Sequence, residues 1–335
     1  MRAFKKSIAV SKTPYRINLA GATDLIPYVK RFGGDALSGA IDKYVTIVAQ
    51  RRGDRKIVFH NALKTEEALE ARRINQPHVR SVLEHVGINS GVDIASFTDA
   101  PLASGLGSSG SFVVGLLNAL WTLQGRKKDP RDLAEEAAHI EIKKLNSPIG
   151  KHDQYLAAYG GICKLSFLRN GSVEVKKVVF KKNEKEVFEK MVLLVYSGVS
   201  RPANQMLSPV ERKLQELNPK IVTAMHSFRE ISSQTAGLLV QRDFSSFGAS
   251  LNDLWEVEKK TFSNSNERLD ELINAGKKQG AIGGLVVGAG GGGFLYLVCP
   301  DQRTRLQVSR TLERMGATEY PFSFAEEGSK IIFSQ

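Results

Sequence analysis

The sequence predicts an α+β fold in two units, and three observations carry that reading. Its 335 residues exceed one small domain and suit two. Apolar residues make up 42% and charged residues 24%, the balance of a chain with a real core. Strand-like and helix-like segments interleave in both halves, with no repeat, low-complexity tract or long linker between them. The boundary is expected near residue 187, dividing residues 1–187 from 188–335, with the charged tract KKNEKEVFEK as the crossover.

The elements follow in order. Residues 7–10 and 16–20 read as extended. Residues 44–51 (YVTIVAQR) and 56–60 (KIVFH) are β-branched and alternating, as strands are, and Gly33-Gly34 and Gly53-Asp54 supply turns. Residues 111–123 form a helix whose wide apolar face holds Phe112, Leu116, Ala119, Leu120 and Leu123. Asp129 as N-cap and Pro130 at the first position open the next helix, which runs to about Lys144. A short helix over 153–159 stops at Gly160-Gly161. A strand pair over 162–168 and 172–179 turns at Asn170-Gly171. The continuous apolar run 191–196 (MVLLVY) is a buried strand. Helices are expected over 209–217, 221–241, 244–262 and 267–279. A glycine-rich turn and strand within 284–300, a helix over 301–315 and a closing strand pair complete the chain.

Charge and composition narrow the function. Lys and Arg total 47 and Asp and Glu 35, a formal charge of +12. The excess is concentrated: 30 against 19 in residues 1–187, and 17 against 16 in residues 188–335. Such asymmetry suits a first half that meets nucleic acid, lipid headgroups or a phosphorylated small molecule. A solvated surface is the plainer reading, since doublets such as Arg51-Arg52 need no partner. Nucleic acid is not expected, because no aromatic-basic stacking module is present. The longest apolar stretches, 112–123 and 285–298, fall short of the roughly 18–20 residues of a membrane span. The opening MRAFKKSIAV lacks a signal-peptide core. Cys163 and Cys299 have no metal-ligand spacing, and the histidines form no zinc pattern. A cytoplasmic protein without membrane contact is expected.

Residues 101–111, PLASGLGSSGS, stand directly ahead of an apolar helix. Small residues let backbone N–H groups converge, and the helix adds its unpaired amides and positive dipole end. That is the physics of a phosphate cradle, to which Ser108 and Ser109 add hydroxyls. Gly105, Gly107 and Gly110 also fit G-x-G-x-x-G, so an NAD-dependent dehydrogenase is a rival outside the phosphate-transfer class. Against it, Asp99-Ala100-Pro101 interrupts the strand that this fingerprint needs. The Walker pattern fails as well, since His152 follows Gly150-Lys151.

Two further segments, PYRINLAGATD (14–24) and LVVGAGGGGF (285–294), stand either side of this loop. Together the three resemble, in order and across nearly the whole chain, the motifs of the GHMP kinase superfamily of galactokinase, homoserine kinase, mevalonate kinase and phosphomevalonate kinase. Within it, GLGSSGSFVVGLLNAL, GKHDQYLAAYGG, SGVSR and GAGGGGFLYLVCP are similar to D-glycero-D-manno-heptose 7-phosphate kinases. The family's first motif usually reads A-G-G-G-T-D, and Ala20-Gly21-Ala22-Thr23-Asp24 is one residue shorter. The resemblance implies a ribosomal protein S5 domain 2-like N-terminal domain and a ferredoxin-like C-terminal domain, with the active site between them. It implies ATP as co-substrate, Mg²⁺, and phosphorylation of the anomeric hydroxyl of a sugar 7-phosphate, supplying nucleotide-activated heptose for surface polysaccharide. An L-fucokinase or galactokinase-like sugar 1-kinase is the alternative within the class. Oligomeric state is not legible, and a homodimer stays open.

The site residues can be weighed singly. Asp153 is a carboxylate at a helix start behind a flexible glycine, which suits a proton acceptor or a plain N-cap. The resemblance implies the catalytic base. Glu141 shares a helix face with Ala134, Ala138 and Leu145, so it is not merely solvated. It is either a structural ion pair or, as the resemblance implies, a Mg²⁺ ligand with Ser109. By the same resemblance Arg16 is the catalytic cation beside Asp153. Asp24, with Thr23, receives sugar hydroxyls. Gly105, Leu106, Gly107, Ser108, Ser109, Gly110 and Ser111 hold ATP. A 7-phosphate needs its own cation, for which Arg201, Lys151, His152, Arg31 and Lys30 are candidates and Arg201 the first choice. Gly288 to Gly293 is expected to pack against the cleft.

Overall fold

The structure, a computed structural model, describes residues 4–101 and 104–335. Leu102 and Ala103 of the glycine-serine segment, and residues 1–3 of the N-terminal stretch, lie outside the described residues.

β1 (Ile8–Ala22), α1 (Ile26–Phe32) and β2 (Gly34–Arg51) form a long antiparallel pair with a helix at its turn. Register shifts between Pro14 and Tyr15, and between Asn18 and Ala22, carry β1 past a proline without an N–H and past Gly21. The two irregularities bracket Arg16 and Asn18. β3 (Ile57–His60), β4 (Thr65–Ala68), α2 (Pro77–Val86) and β5 (Val92–Thr98) follow, with β3 parallel to β5. α3 (Ser108–Leu123) lies across β1 and β2 and is apolar on nearly every side, as a buried helix is.

α4 (Pro130–Ala138) opens on Asp129, whose carboxylate accepts from the Asp132 N–H, and continues as a π-helical turn, His139–Lys144. α5 (His152–Tyr159) ends at Gly160, and β6 (Ile162–Phe167) pairs with β7 (Val173–Lys177). The charged tract near residue 187 is α6 (Lys182–Met191), which turns straight into β8 (Val192–Tyr196). Four helices follow: α7 (Ala203–Gln215), α8 (Pro219–Val240), α9 (Phe244–Phe262) and α10 (Glu267–Lys278). α7 begins six residues ahead of the expected start, because Pro209 sits inside it on an exposed face rather than at its first turn. β9 (Gly283–Val286), β10 (Phe294–Val298), α11 (Gln302–Arg314), β11 (Thr318–Glu319) and β12 (Lys330–Ser334) complete the chain.

The first sheet runs β12-β1-β2-β5-β3-β4, with β6 on β2 and β7 beyond it; the second runs β11-β8-β10-β9. The two closing strands do not pair with each other, contrary to expectation. β11 pairs with β8, whereas β12 pairs with β1, so the two closing strands join different sheets. The tail covers the edge that β1 would otherwise expose. It also means that residues 188–335 are not one self-contained unit, because their last strand belongs to the first sheet. α8 packs on both α9 and β1, and one contiguous apolar cluster runs from Ile17 and Leu117 to Leu194 and Leu297. Among the described residues, no helix is long and apolar enough to cross a membrane.

Candidate active site

A cavity of about 380 Å³ opens between the first sheet, the start of α3, and the segments flanking β8 and β10. Arg16, on β1, enters it from a nearly closed position. Its Nε donates to Asp153 Oδ1 at 2.8 Å, its Nη2 lies 2.7 Å from the same oxygen, and its Nη1 donates to the Gly105 carbonyl. One guanidinium therefore ties the glycine loop to the carboxylate in the first turn of α5. Burial pushes the Asp153 carboxyl up, but Arg16 outweighs it and holds the group below the ordinary aspartate value, ionised at neutral pH.

Asp24 lies beside it, its Oδ2 accepting from the His152 N–H at 3.0 Å. Gly150 permits this approach, since a Cβ there would stand 2.1 Å from the Asp24 carbonyl oxygen and from its Oδ2. Burial pushes Asp24 up to about 6. The site thus holds two neighbouring carboxyl groups whose proton affinities are driven apart.

Glu141 projects from the π-helical turn, a local widening that is frequent at functional sites. It is 1% exposed. Its Oε1 accepts from Ser109 Oγ at 2.7 Å and its Oε2 from Gln154 Nε2 at 2.6 Å, and burial pushes it up to about 7. Gln154 Oε1 has no partner in its buried position. Oxygen donors from Ser109, Glu141 and Gln154 therefore meet beside the glycine loop, a set that suits a hard cation such as Mg²⁺. Among the described residues no group of three or more His, Cys, Asp or Glu side chains gathers, so phosphate and water must complete the shell of any metal here.

Gly107 caps α3 without any side-chain hydrogen bond, and the first helical bond runs from Ser111 N–H to the Gly107 carbonyl at 3.0 Å. The amides before it are those an anion would take. Gly288 to Gly293 buttress this loop. A Cβ on Gly105 would lie 2.4 Å from the Val287 carbonyl oxygen, and one on Gly288 2.5 Å from that of Gly105. The two glycine-rich segments interlock at a spacing that side chains forbid.

Several expected site residues are not brought to the cavity, or reach it with their polar groups already engaged. Lys151 Nζ donates to both Glu135 oxygens, at 2.8 and 2.7 Å, and to the Gly171 carbonyl, so its charge is already met away from the cavity lining. His152 is reached from the cavity but is neutral: burial, then Arg16, drives it down to about 3, and its Nε2 pairs with Ser38 Oγ at 2.6 Å. Thr23 is buried and bonded to the Asp35 backbone, tying the end of β1 to the start of β2. Leu106 is a core side chain whose carbonyl accepts from the Arg16 N–H, and the Ser111 hydroxyl is spent on the Pro14 carbonyl. Lys30 and Arg31 end α1 and do not line the cavity. Arg201 does line it, from an exposed position ahead of α7. Reading the sequence missed Gln154 and His78, the latter 3.8 Å from Glu141 Oε1. Adjacency to Asp153 was the available signal for Gln154; none marked His78.

Comparison with known proteins agrees with this layout. Residues 74–161 match the GHMP kinases N terminal domain and residues 235–318 the GHMP kinases C terminal domain. The first span holds the glycine loop, Glu141 and Asp153; the second holds Gly288 to Gly293. A D-glycero-alpha-D-manno-heptose 7-phosphate kinase of Campylobacter jejuni is 26% identical over 334 residues, covering 96% of this chain and 97% of that protein. A mevalonate kinase of Pyrococcus abyssi is 22% identical over 348 residues, covering 97% of this chain and 98% of that protein. A crystal structure of a D-glycero-D-manno-heptose 1-phosphate kinase from Bacteroides thetaiotaomicron matches with a TM-score of 0.79 at 25% identity, covering 97% of this chain and 99% of that one. With both family domains in place and the motifs of each meeting in one cavity, the chain belongs to the GHMP kinase family, phosphotransferases that use ATP and take an alcohol group as acceptor.

Proposed function

We propose that this kinase phosphorylates the anomeric hydroxyl of a heptose 7-phosphate. The observation that carries the chemistry is the Arg16–Asp153 pair, an ionised carboxylate locked to the glycine loop. Asp153 accepts the proton of the attacking hydroxyl, and Arg16 stabilises charge that develops on the transferred phosphoryl group. The open amides at the start of α3 hold the phosphates of ATP. Asp24 orients the acceptor through its hydroxyls. Ser109 and Glu141, with Gln154 beside them, would hold Mg²⁺, which when bound neutralises phosphate charge. The heptose 7-phosphate itself rests on the likeness to the Campylobacter jejuni kinase.

One observation favours a second reading, an unphosphorylated sugar as acceptor. With Lys151 and His152 removed from the candidates, Arg201 is left to meet a distal phosphate. An ADP-release assay over heptose 7-phosphate, unphosphorylated heptose, L-fucose, galactose and mevalonate decides between them. The highest kcat/KM is expected with heptose 7-phosphate, and phosphorus NMR should place the new phosphate on the anomeric carbon. Preference for an unphosphorylated sugar would replace the first reading with the second, and preference for mevalonate would overturn both.

A further inference from the structure

Three buried side chains lining the cavity carry polar atoms that nothing in the protein satisfies. They are Asn18 Oδ1, Glu258 Oε2 and Asn264 Oδ1, on residues 6%, 3% and 1% exposed. A buried polar atom without a partner is destabilising. Three lining the same cavity are a cost that a ligand would remove.

Their placement says which ligand. Asn18 follows Arg16 by two residues on β1, so it faces the same side about 7 Å further along, toward Asp24. That spacing is about the width of one sugar ring from Arg16, which is paired with Asp153. Glu258, on α9, is joined to this spot from the other sheet. The Tyr296 hydroxyl beside it donates to the Leu19 carbonyl at 2.5 Å, and Asn264 Nδ2 donates to Glu258 Oε1 at 2.8 Å. Asn264 is itself fixed by the third glycine segment, its carbonyl accepting from the Gly291 N–H.

The chemistry of the wall is equally specific. No cation stands against Glu258 among the described residues: burial dominates and pushes it up to about 8, with only the Asn264 amide opposing. At neutral pH the carboxyl is therefore protonated, offering a donor, while the two amide oxygens offer acceptors. Phe228 and Phe262 line the same region as an edge-to-face pair with ring centroids 5.3 Å apart. Aromatic faces beside mixed donors and acceptors suit the C–H and O–H surfaces of a sugar, and a wall without a cation does not suit a phosphate.

We propose that Asn18, Glu258 and Asn264 form a recognition wall for the uncharged, hydroxyl-bearing side of the acceptor, across the ring from the reacting hydroxyl. The inference rests on the sugar-kinase reading above and adds specificity-determining residues to it. It also places any distal phosphate at the rim, by Arg201, and not against this wall.

The test compares the full chain with Glu258→Leu and Asn18→Ala. Each is assayed on heptose 7-phosphate and on D-mannose analogues that lack one hydroxyl each. Binding of the same sugars without ATP is read by calorimetry. The wild type should lose about 10-fold or more in kcat/KM on removal of at least one hydroxyl. In either variant that ratio should fall below about 3-fold, with KM for ATP unchanged. The second variant keeps the test alive if the first fails to fold. An unchanged ratio in a folded variant overturns the wall and leaves the kinase reading intact. Should no sugar be turned over, that reading fails instead; sugar binding weakened about 10-fold by Glu258→Leu would still uphold the wall, and binding indifferent to it would overturn it.

Discussion

Asp153 and Glu258 are carboxyl groups lining one cavity, and burial pushes both upward. Asp153 nevertheless ends below the ordinary carboxylate range, whereas Glu258 rises to about 8. The difference is one cation: Arg16 stands 2.7 Å from Asp153, and only the Asn264 amide opposes burial at Glu258. The two ends of the cavity are thereby given different work. At one, the carboxyl is ionised beside the start of α3. The other is neutral, protonated and short of hydrogen-bond partners. A single guanidinium, placed by a bulged strand, is enough to drive two buried carboxyl groups of one cavity apart.

Asp153→Asn attacks the ionised end and has the largest expected effect. ADP release should fall about 10³-fold or more, near 4 kcal/mol of barrier, with KM for ATP within about 2-fold. Turnover close to wild type would break the comparison, because the ionised carboxylate would then have no chemical task.

Glu258→Gln attacks the neutral end through stability. A carboxyl raised from 4.5 to about 8 on folding stabilises the fold only while protonated. That contribution is complete below the unfolded value and is lost as pH rises through the folded one. Between pH 5 and pH 8 the wild type should lose on the order of 2–4 kcal/mol relative to the glutamine variant, which has no proton to release. Urea titrations at both pH values measure it. A pH-independent difference would mean that Glu258 is not held neutral.

Glu141→Gln probes the proposed Mg²⁺ position beside Ser109. Its expected effect is smaller, a rise of about 10-fold in the Mg²⁺ needed for half-maximal rate. An unchanged Mg²⁺ dependence would leave the Ser109–Glu141 bond as structural alone.

How far the sequence reached follows the same division. The glycine loop, Arg16, Asp24, Glu141 and Asp153 line one cavity, and their assembly was legible through the resemblance of their motifs to those of the GHMP kinases. α9 spans the residues its periodicity indicates, Phe244–Phe262. Neighbours of true cavity residues were misplaced. Thr23 and Lys151 adjoin Asp24 and Asp153 without lining the cavity, since successive residues on a strand or helix point different ways, whereas His152 lines it but is neutral. The recognition wall was invisible, since an orphaned oxygen at Asn18, Glu258 or Asn264 is defined only by what tertiary packing fails to supply. The pairing of β12 with β1 was hidden for the same reason, being set some 320 residues away in sequence by an edge needing cover.

Arg201 gives the smallest expected effect and the sharpest reading of the comparison. Among the described residues, Arg16 and Arg201 are the guanidinium groups lining the cavity, and Arg16 is committed to Asp153. Arg201 is exposed, so a bond from it to phosphate is worth less than the about 1.5–3 kcal/mol of a buried charge-assisted one, nearer 1 kcal/mol. Arg201→Ala should therefore lower kcat/KM about 5-fold on a sugar phosphate and less than about 2-fold on the unphosphorylated sugar. The ratio of the two, not either value alone, is the readout. A selective loss places the distal phosphate at the rim and leaves the neutral wall to the hydroxyls. An equal loss removes Arg201 from phosphate recognition, and with the wall itself uncharged, the acceptor is then an unphosphorylated sugar.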